Sequence, residues 1–235
     1  FLDLTGKYPL ECDGAVDNFP TDNGNGVAVK AGIINTINHL LGPTLKFFLP
    51  LVARETFCTE ISQISRVECA ALLQIYKNAN PPNSTSPLFG WFKDNQPCQW
   101  FGITCAADHV VSLNLDGAGL LTIPVQIGNL ANLESLTLSR NPLTTIPDEI
   151  GNLANLQRLA LSNIGMGAVP KTLGRLHNLQ WLDLSVNPVT SIAPELGDLT
   201  NLELLALSQA QLNTFPPFII RLANLRELYL PQDQL

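Results

Sequence analysis

Leu138, Leu161, Leu184, Leu207 and Leu230 stand 23 residues apart, and each closes a copy of one pattern, L-x-x-L-x-x-L-x-L: LANLESLTL, LANLQRLAL, LHNLQWLDL, LTNLELLAL and LANLRELYL. No single 23-residue unit can bury its own leucines, so units of this kind must lie against one another. A second piece recurs between the copies, as NPLTTIPDEIGNL, NPVTSIAPELGDL and AQLNTFPPFIIRL. In L-x-L the leucines alternate with other residues, which turns one strand face inward and the other to solvent. The second piece returns the chain on the far side with apolar residues of its own. The expected product is a solenoid whose strands form one parallel sheet.

These copies resemble the leucine-rich repeat, and the resemblance runs from Val110 to Leu235. It implies an α/β leucine-rich repeat solenoid with a curved parallel sheet on its concave face. It also implies an asparagine ladder three residues after the last strand leucine. That column holds Ala118, Asn141, Ile164, Asn187, Ala210 and Asp233, so only alternate rungs are polar. Plant receptor repeats are usually 24 residues long with a Gly in LxGxIP, whereas LTTIP and LNTFP lack it and the turn is one residue shorter.

Ahead of the repeats, CAALLQIYKNANPPNSTSPLFGWFKDNQPCQWFGITCAADHVVSLNL is similar to the N-terminal cap of plant-type extracellular leucine-rich repeat proteins, an ALLxxK helix followed by W and PCxWxGVxC. Ala71, Leu72, Leu73, Lys77, Trp91, Pro97, Cys98, Trp100, Gly102 and Cys105 carry the match. Val67, Ala71, Leu72 and Ile75 have helical spacing, and PPNSTSP breaks any helix after them. Trp91, Trp100 and Phe101 are expected to cover the first turn's leucines, as core rather than as ligand contacts. A Cys98–Cys105 bridge would fix that cover. Cys58 with Cys69 is the second expected pair, and Cys12 is free, mobile or joined to another chain. All five cysteines precede the repeats without a C-x-x-C pair, which favours disulfides and export over zinc.

The expected organisation is an N-terminal extension over 1–65, a disulfide-stapled helical cap over 66–109, and repeats over 110–235, about five and a half turns ending without a return limb and therefore expected to continue or to be covered by a partner. In the extension, DGAVDNFPTDNGNG is loop, and Asp22, Asn23 and Gly24 lack the ligand spacing of a calcium site. Val29, Ile33, Ile37 and Leu40 or Leu41 form an amphipathic stripe halted by Gly42 and Pro43, with two or three further short helices before Ala71. The sequon at Asn83 falls in the cap loop, where a glycan would be accessible. The run Leu40–Ala53 is broken by Gly42, Pro43, Lys46 and Pro50 and is too short to span a membrane. A first residue other than Met is consistent with a removed leader.

Function in such a solenoid is expected on the solvent-facing strand positions. One column reads Ser112, Ser135, Arg158, Trp181, Leu204, Glu227; the other reads Asn114, Thr137, Ala160, Asp183, Ala206, Tyr229. Trp181, Leu204 and Tyr229 are expected to form an outward apolar patch on adjacent strands, rimmed by Asp183, Arg158, Glu203, Glu227 and Arg226; the plainer alternative is that Trp181 rests against a neighbour. Exposed aromatics within charge suit a protein partner. The columns are mixed, which does not suit a lattice such as ice.

Thirteen Lys and Arg against twenty Asp and Glu leave a net charge of −7 with no basic block, which argues against nucleic acid. His39, His109 and His177 have no nucleophile or carboxylate pair placed near them, so neither catalysis nor a cofactor nor a metal is expected. The expected function is an extracellular or cell-surface recognition module, a receptor ectodomain for example, for a protein, peptide or glycan on the concave face. The alternatives are a structural or adhesive subunit contacting other subunits through its N-terminal region or C-terminal end, or an inhibitor of a secreted hydrolase.

Overall fold

The strand leucines, 23 residues apart, form the spine of the molecule: Leu113, Leu136, Leu159, Leu182 and Leu205 are all buried, as are Leu115, Leu138, Leu161, Leu184 and Leu207 one pleat further on. The computed structural model describes residues 58–59, 61–79, 88, 90–92 and 94–230. The reading of 1–57, with its stripe after Val29, its Asp22 loop, Cys12 and His39, lies outside the described residues, as do Asn83, Asp233 and Leu235.

Strands β1 (Ile103–Ala106), β2 (His109–Asn114), β3 (Ser135–Thr137), β4 (Arg158–Ala160), β6 (Trp181–Asp183), β8 (Leu204–Ala206) and β9 (Glu227–Tyr229) form one sheet in that order, and β5 (Ala168–Val169) pairs with β7 (Ser191–Ile192) separately. From β2 onward the pairing is parallel and shifts by 23 at every step: Leu113 faces Leu136, then Leu159, Leu182, Leu205 and Leu228. On the far side, five-residue 3-10 helices recur at the same interval, Val125–Asn129, Asp148–Asn152, Lys171–Arg175, Pro194–Asp198 and Pro217–Arg221. A proline at or just inside each start fits, since the missing N–H would have no partner within the helix. Each fully buried leucine is worth about 1.5–3 kcal/mol, and the columns together supply most of the drive to stack.

The polar rungs of the ladder are Asn141 and Asn187, each 1% exposed. Asn187 Oδ1 accepts from the N–H groups of Ile164 and Met166, and its Nδ2 donates to the carbonyls of Leu161, Leu184 and Ser185. Two rungs earlier, Asn141 Oδ1 accepts from the Leu120 N–H, and its Nδ2 donates to the carbonyls of Leu115, Leu138 and Ser139. The ladder is therefore irregular, as its composition implies.

A second ladder escaped the reading of the sequence. In four of the five LxNL copies the Asn reaches back to the preceding turn: Asn155, Asn178, Asn201 and Asn224 donate to the carbonyls of Ala131, Ala154, His177 and Thr200 at 2.8–2.9 Å. Its signal is an Asn repeated at one position in all five copies.

One position per turn adopts a left-handed backbone, Gly117, Arg140, Asn163, Val186 and Gln209, all with φ between 54° and 61°. That twist aims the N–H at the next turn, where Val186 donates to the Ser208 carbonyl at 2.8 Å. A β-branched residue fits this region poorly, whereas Asn enters it readily. Val186 is largely in solvent, so Val186→Asn loses little packing. The expected result is about 1 kcal/mol of added stability, or roughly 2–4 °C in the melting temperature, read by calorimetry.

The cap closes the other end. Helix α1 (Arg66–Asn78) opens with a reciprocal capping box, in which Ser65 Oγ accepts from the Glu68 N–H and the Glu68 carboxylate accepts from the Ser65 N–H. Glu68 is buried, and it also accepts from the Val110 N–H at 3.1 Å and meets His109 Nδ1 at 3.3 Å, tying the helix to β2. Both expected disulfides are present, Cys58–Cys69 and Cys98–Cys105. Cys58, Ile61 and Ile64 share the core cluster of α1, so cap packing begins upstream of residue 66.

Two expectations fail here. Val67 is 56% exposed; the inward face of α1 is Glu68, Cys69, Ala71, Leu72, Leu73 and Ile75. At about 100° per residue, Val67 lies about 140° round from Leu72. Phe101 is 68% exposed, because it follows buried Trp100 in extended backbone, and successive side chains there point to opposite sides. Phe92 packs in its stead, 4.5 Å from Trp100, while Trp91 stacks on Trp100 at 5.8 Å. The tryptophan nitrogens are satisfied, Trp91 donating to the Phe101 carbonyl and Trp100 to Asp94. Gly102, at φ 82°, is held so close to the Asn114 carbonyl that no other residue fits.

Candidate functional site

The sheet face follows directly from the register. Ser112, Ser135, Arg158, Trp181, Leu204 and Glu227 line up across β2, β3, β4, β6, β8 and β9, and Asn114, Thr137, Ala160, Asp183, Ala206 and Tyr229 line up beside them. Neighbouring strands lie about 4.8 Å apart, so each column presents a closely spaced row of side chains.

The row is not level. Ala160 is small and buried, between the larger, half-buried Thr137 and Asp183. Around it opens a concavity of about 460 Å³ lined by Asp116, Ser135, Leu136, Thr137, Ser139, Arg140, Arg158, Ala160, Ser162, Trp181 and Asp183. Trp181 and Arg158 are direct register partners in its wall. Arg140 reaches back to Asp116 on the preceding turn, its Nε 2.7 Å from Oδ1. The hydrogen bond and then the charge of Asp116 hold the Arg140 guanidinium above its ordinary pKa. Asp183 Oδ1 accepts from the Ser185 N–H at 2.9 Å. Among the described hydrogen bonds and ion pairs, none engages the Arg158 guanidinium, which is exposed.

The expected patch of Trp181, Leu204 and Tyr229 is only partly of this form. Trp181 and Leu204 are register partners but half-buried, and Tyr229 lies in the other column, opposite Ala206. The Tyr229 hydroxyl donates to Glu227 at 2.9 Å, and that hydrogen bond and charge raise its pKa and keep the phenol protonated. Glu203 and Arg226 sit apart, on the rim, 3.6 Å from each other. Glu203 lines a second hollow of about 520 Å³ with Glu134, Gln157, Gln180 and the asparagines of the rim ladder, whose amide nitrogens are committed to backbone. The sequence pointed to turns four to six, whereas the concavity on the sheet face lies between turns one and four, with Trp181 at its edge. The column reading had no means of weighing the missing bulk at Ala160.

Among the described residues no group of three or more His, Cys, Asp or Glu is placed to hold a metal ion. No described helix is long and apolar enough to cross a membrane.

Residues 67–106 match the family described as leucine rich repeat N-terminal domain, and residues 108–163 match the leucine rich repeat. A comparison with curated protein sequences gives no match. Among solved structures, a leucine-rich repeat protein of Leptospira interrogans is 38% identical at a TM-score of 0.50, over 51% of this chain and 30% of that one. The PEPR1-AtPEP1 structure is 31% identical at 0.57, over 68% and 24%. The leucine-rich repeat ectodomain of the receptor kinase SOBIR1 from Arabidopsis thaliana is 27% identical at 0.56, over 72% and 93%. The chain thus spans less than a third of the first two and nearly all of the third. With stacked turns in register and this cap at their head, the chain is a leucine-rich repeat protein bearing the family's N-terminal domain.

Proposed function

We propose that the chain is an extracellular recognition module that takes its partner on the sheet face, in the concavity between Arg158, Ala160, Trp181 and Asp183. One observation carries this reading: Trp181 and Arg158 stand side by side in register on adjacent strands, an aromatic face next to a guanidinium that no described group engages. Neither asparagine set that ties the turns together lies in this lining. The likeness to the SOBIR1 ectodomain, the plant-type cap and two disulfides support placement outside the cell. The likeness to the ectodomain of the receptor kinase SOBIR1 also supports a receptor-like role.

The test is a binding screen of the chain against arrayed peptides and oligosaccharides, repeated with Trp181→Ala and Arg158→Glu. Buried aromatic and arginine contacts dominate interfaces, so each variant is expected to weaken the best ligand at least tenfold, or about 1.4 kcal/mol, with an unchanged melting temperature. Glu195→Ala, on the opposite side, is the control. Undiminished binding by both sheet-face variants would remove the site from this surface.

A further inference from the structure

We infer that the concavity recognises a neutral oligosaccharide, with one pyranose ring lying on the indole of Trp181. This rests on the reading of the sheet face as the binding surface and adds to it the chemistry of the ligand.

The charge of the concavity comes first. Its ionisable lining is Asp116 and Asp183 against Arg140 and Arg158, two carboxylates and two guanidiniums, which sum to zero. Asp116 and Arg140 are paired with each other. An acidic ligand would meet no net positive field here and a chain of net charge −7 around it; a basic ligand would find no local excess of carboxylate. Charge complementarity thus selects neither.

Polarity comes second. Trp181 is the lone aromatic in the lining, and most of the other lining residues carry a hydroxyl or a charge, while the surface they present between those groups is more apolar than polar. An aliphatic or aromatic side chain seated there would strip water from Arg158 and Asp183 without replacing their hydrogen bonds, which is costly. A peptide main chain gains nothing from the floor either, because the parallel ladders of β3, β4 and β6 already pair the backbone there.

A pyranose satisfies what is left. Its axial C–H face is apolar and slightly positive, and it suits the negative face of an indole. Its ring-edge hydroxyls each donate and accept, so adjacent ones can give to the second oxygen of Asp183 and receive from Arg158, with Ser135, Thr137 and Ser162 within the same lining. Buried Ala160 leaves the depth for the ring edge.

The protein carries its own reporter. Of its three tryptophans, Trp91 and Trp100 are 2% and 4% exposed in the cap, and Trp181 alone is partly exposed. The experiment titrates the full chain with cellohexaose, laminarihexaose and mannohexaose as neutral probes, and with hexagalacturonate and short Lys- or Glu-rich peptides as charged ones. Emission and acrylamide quenching are followed at about 50 and 500 mM NaCl, spanning strong and weak charge screening. The expected result is saturable binding of at least one neutral hexasaccharide. It shields Trp181 from acrylamide, changes less than twofold with salt, falls at least tenfold in Trp181→Ala and is retained in Trp181→Phe. Three results would overturn the inference: no neutral probe binds, a neutral probe binds equally well to Trp181→Ala, or only charged peptides bind, with strong salt dependence. The last of these, if lost in Trp181→Ala or Arg158→Glu, would leave the sheet-face reading standing while the saccharide is rejected.

Discussion

Asn187→Ala is expected to destabilise the protein by about 4 kcal/mol, a loss larger than that of a typical leucine truncation at the edge of the stack. The side chain it removes is 1% exposed and makes five hydrogen bonds to backbone on two turns. The N–H groups of Ile164 and Met166 and the carbonyls of Leu161 and Leu184 have no other described backbone partner, whereas the Ser185 carbonyl keeps the Asn163 N–H. Each buried group left unpaired costs about 1–3 kcal/mol, and a water entering the vacated space recovers part of it. Chemical denaturation read by circular dichroism checks the value. A loss under about 1 kcal/mol would mean that the rung is not shared between turns. The same change at Asn163, which lies in the left-handed column and has no such duty, is expected to cost far less.

Gly151→Val is the second large effect, expected at about 3 kcal/mol. Gly151 is one of a column with Gly128, Gly174 and Gly197 in the 3-10 helices, each beneath the following turn. A Cβ on Gly151 would lie 2.7 Å from the Thr172 carbonyl oxygen, and one on Gly128 2.8 Å from that of Glu149. The obstacle is backbone, so it yields only if the turns move apart, which opens the leucine columns on both sides. Overpacking of this kind costs about 1–3 kcal/mol and occasionally more. The opposing gain from a stiffer unfolded chain, about 0.4–1 kcal/mol, is too small to reverse the sign. Gly→Ala at the same place is expected to cost less, since one methyl needs a smaller separation. Equal stability of wild type and Gly151→Val would show that the turns are looser than their spacing implies.

The solenoid was legible because its signal is repeated. Five copies in one register place every strand leucine inward, and the structure pairs those leucines at the same interval. Both expected disulfides are present, Cys98–Cys105 from the cap motif and Cys58–Cys69 as a second pair without a motif of its own. What occurs once was harder. Val67 has the spacing of a core residue but begins α1 on its outer side, while Glu68, a charged residue, turns inward because the Ser65 N–H and the Val110 N–H need its carboxylate. The Ser65-x-x-Glu68 pattern carried that information, and apolar spacing alone overlooked it. Phe101 shows the same limit: its neighbour's burial in extended backbone decides its exposure.

On the functional face, the columns themselves followed from the two periods, 2 along a strand and 23 between strands. The depth of the face did not. It depends on a small residue, Ala160, standing among larger ones, and on Arg140 reaching Asp116 across the stack. Side-chain reach is set by rotamers and neighbours rather than by spacing, and so the columns alone do not reveal the concavity beside Trp181.

The most direct measurement of whether partners dock on the sheet face is site-specific photocrosslinking. Benzophenone, which inserts into C–H bonds of peptides and sugars alike, is installed at Thr137 on the sheet face or at Glu195 in a 3-10 helix opposite. Crosslinks to the bound ligand from position 137, lost when Trp181→Ala is added and absent from position 195, are the predicted result. Crosslinks from position 195 alone, indifferent to Trp181, would contradict it.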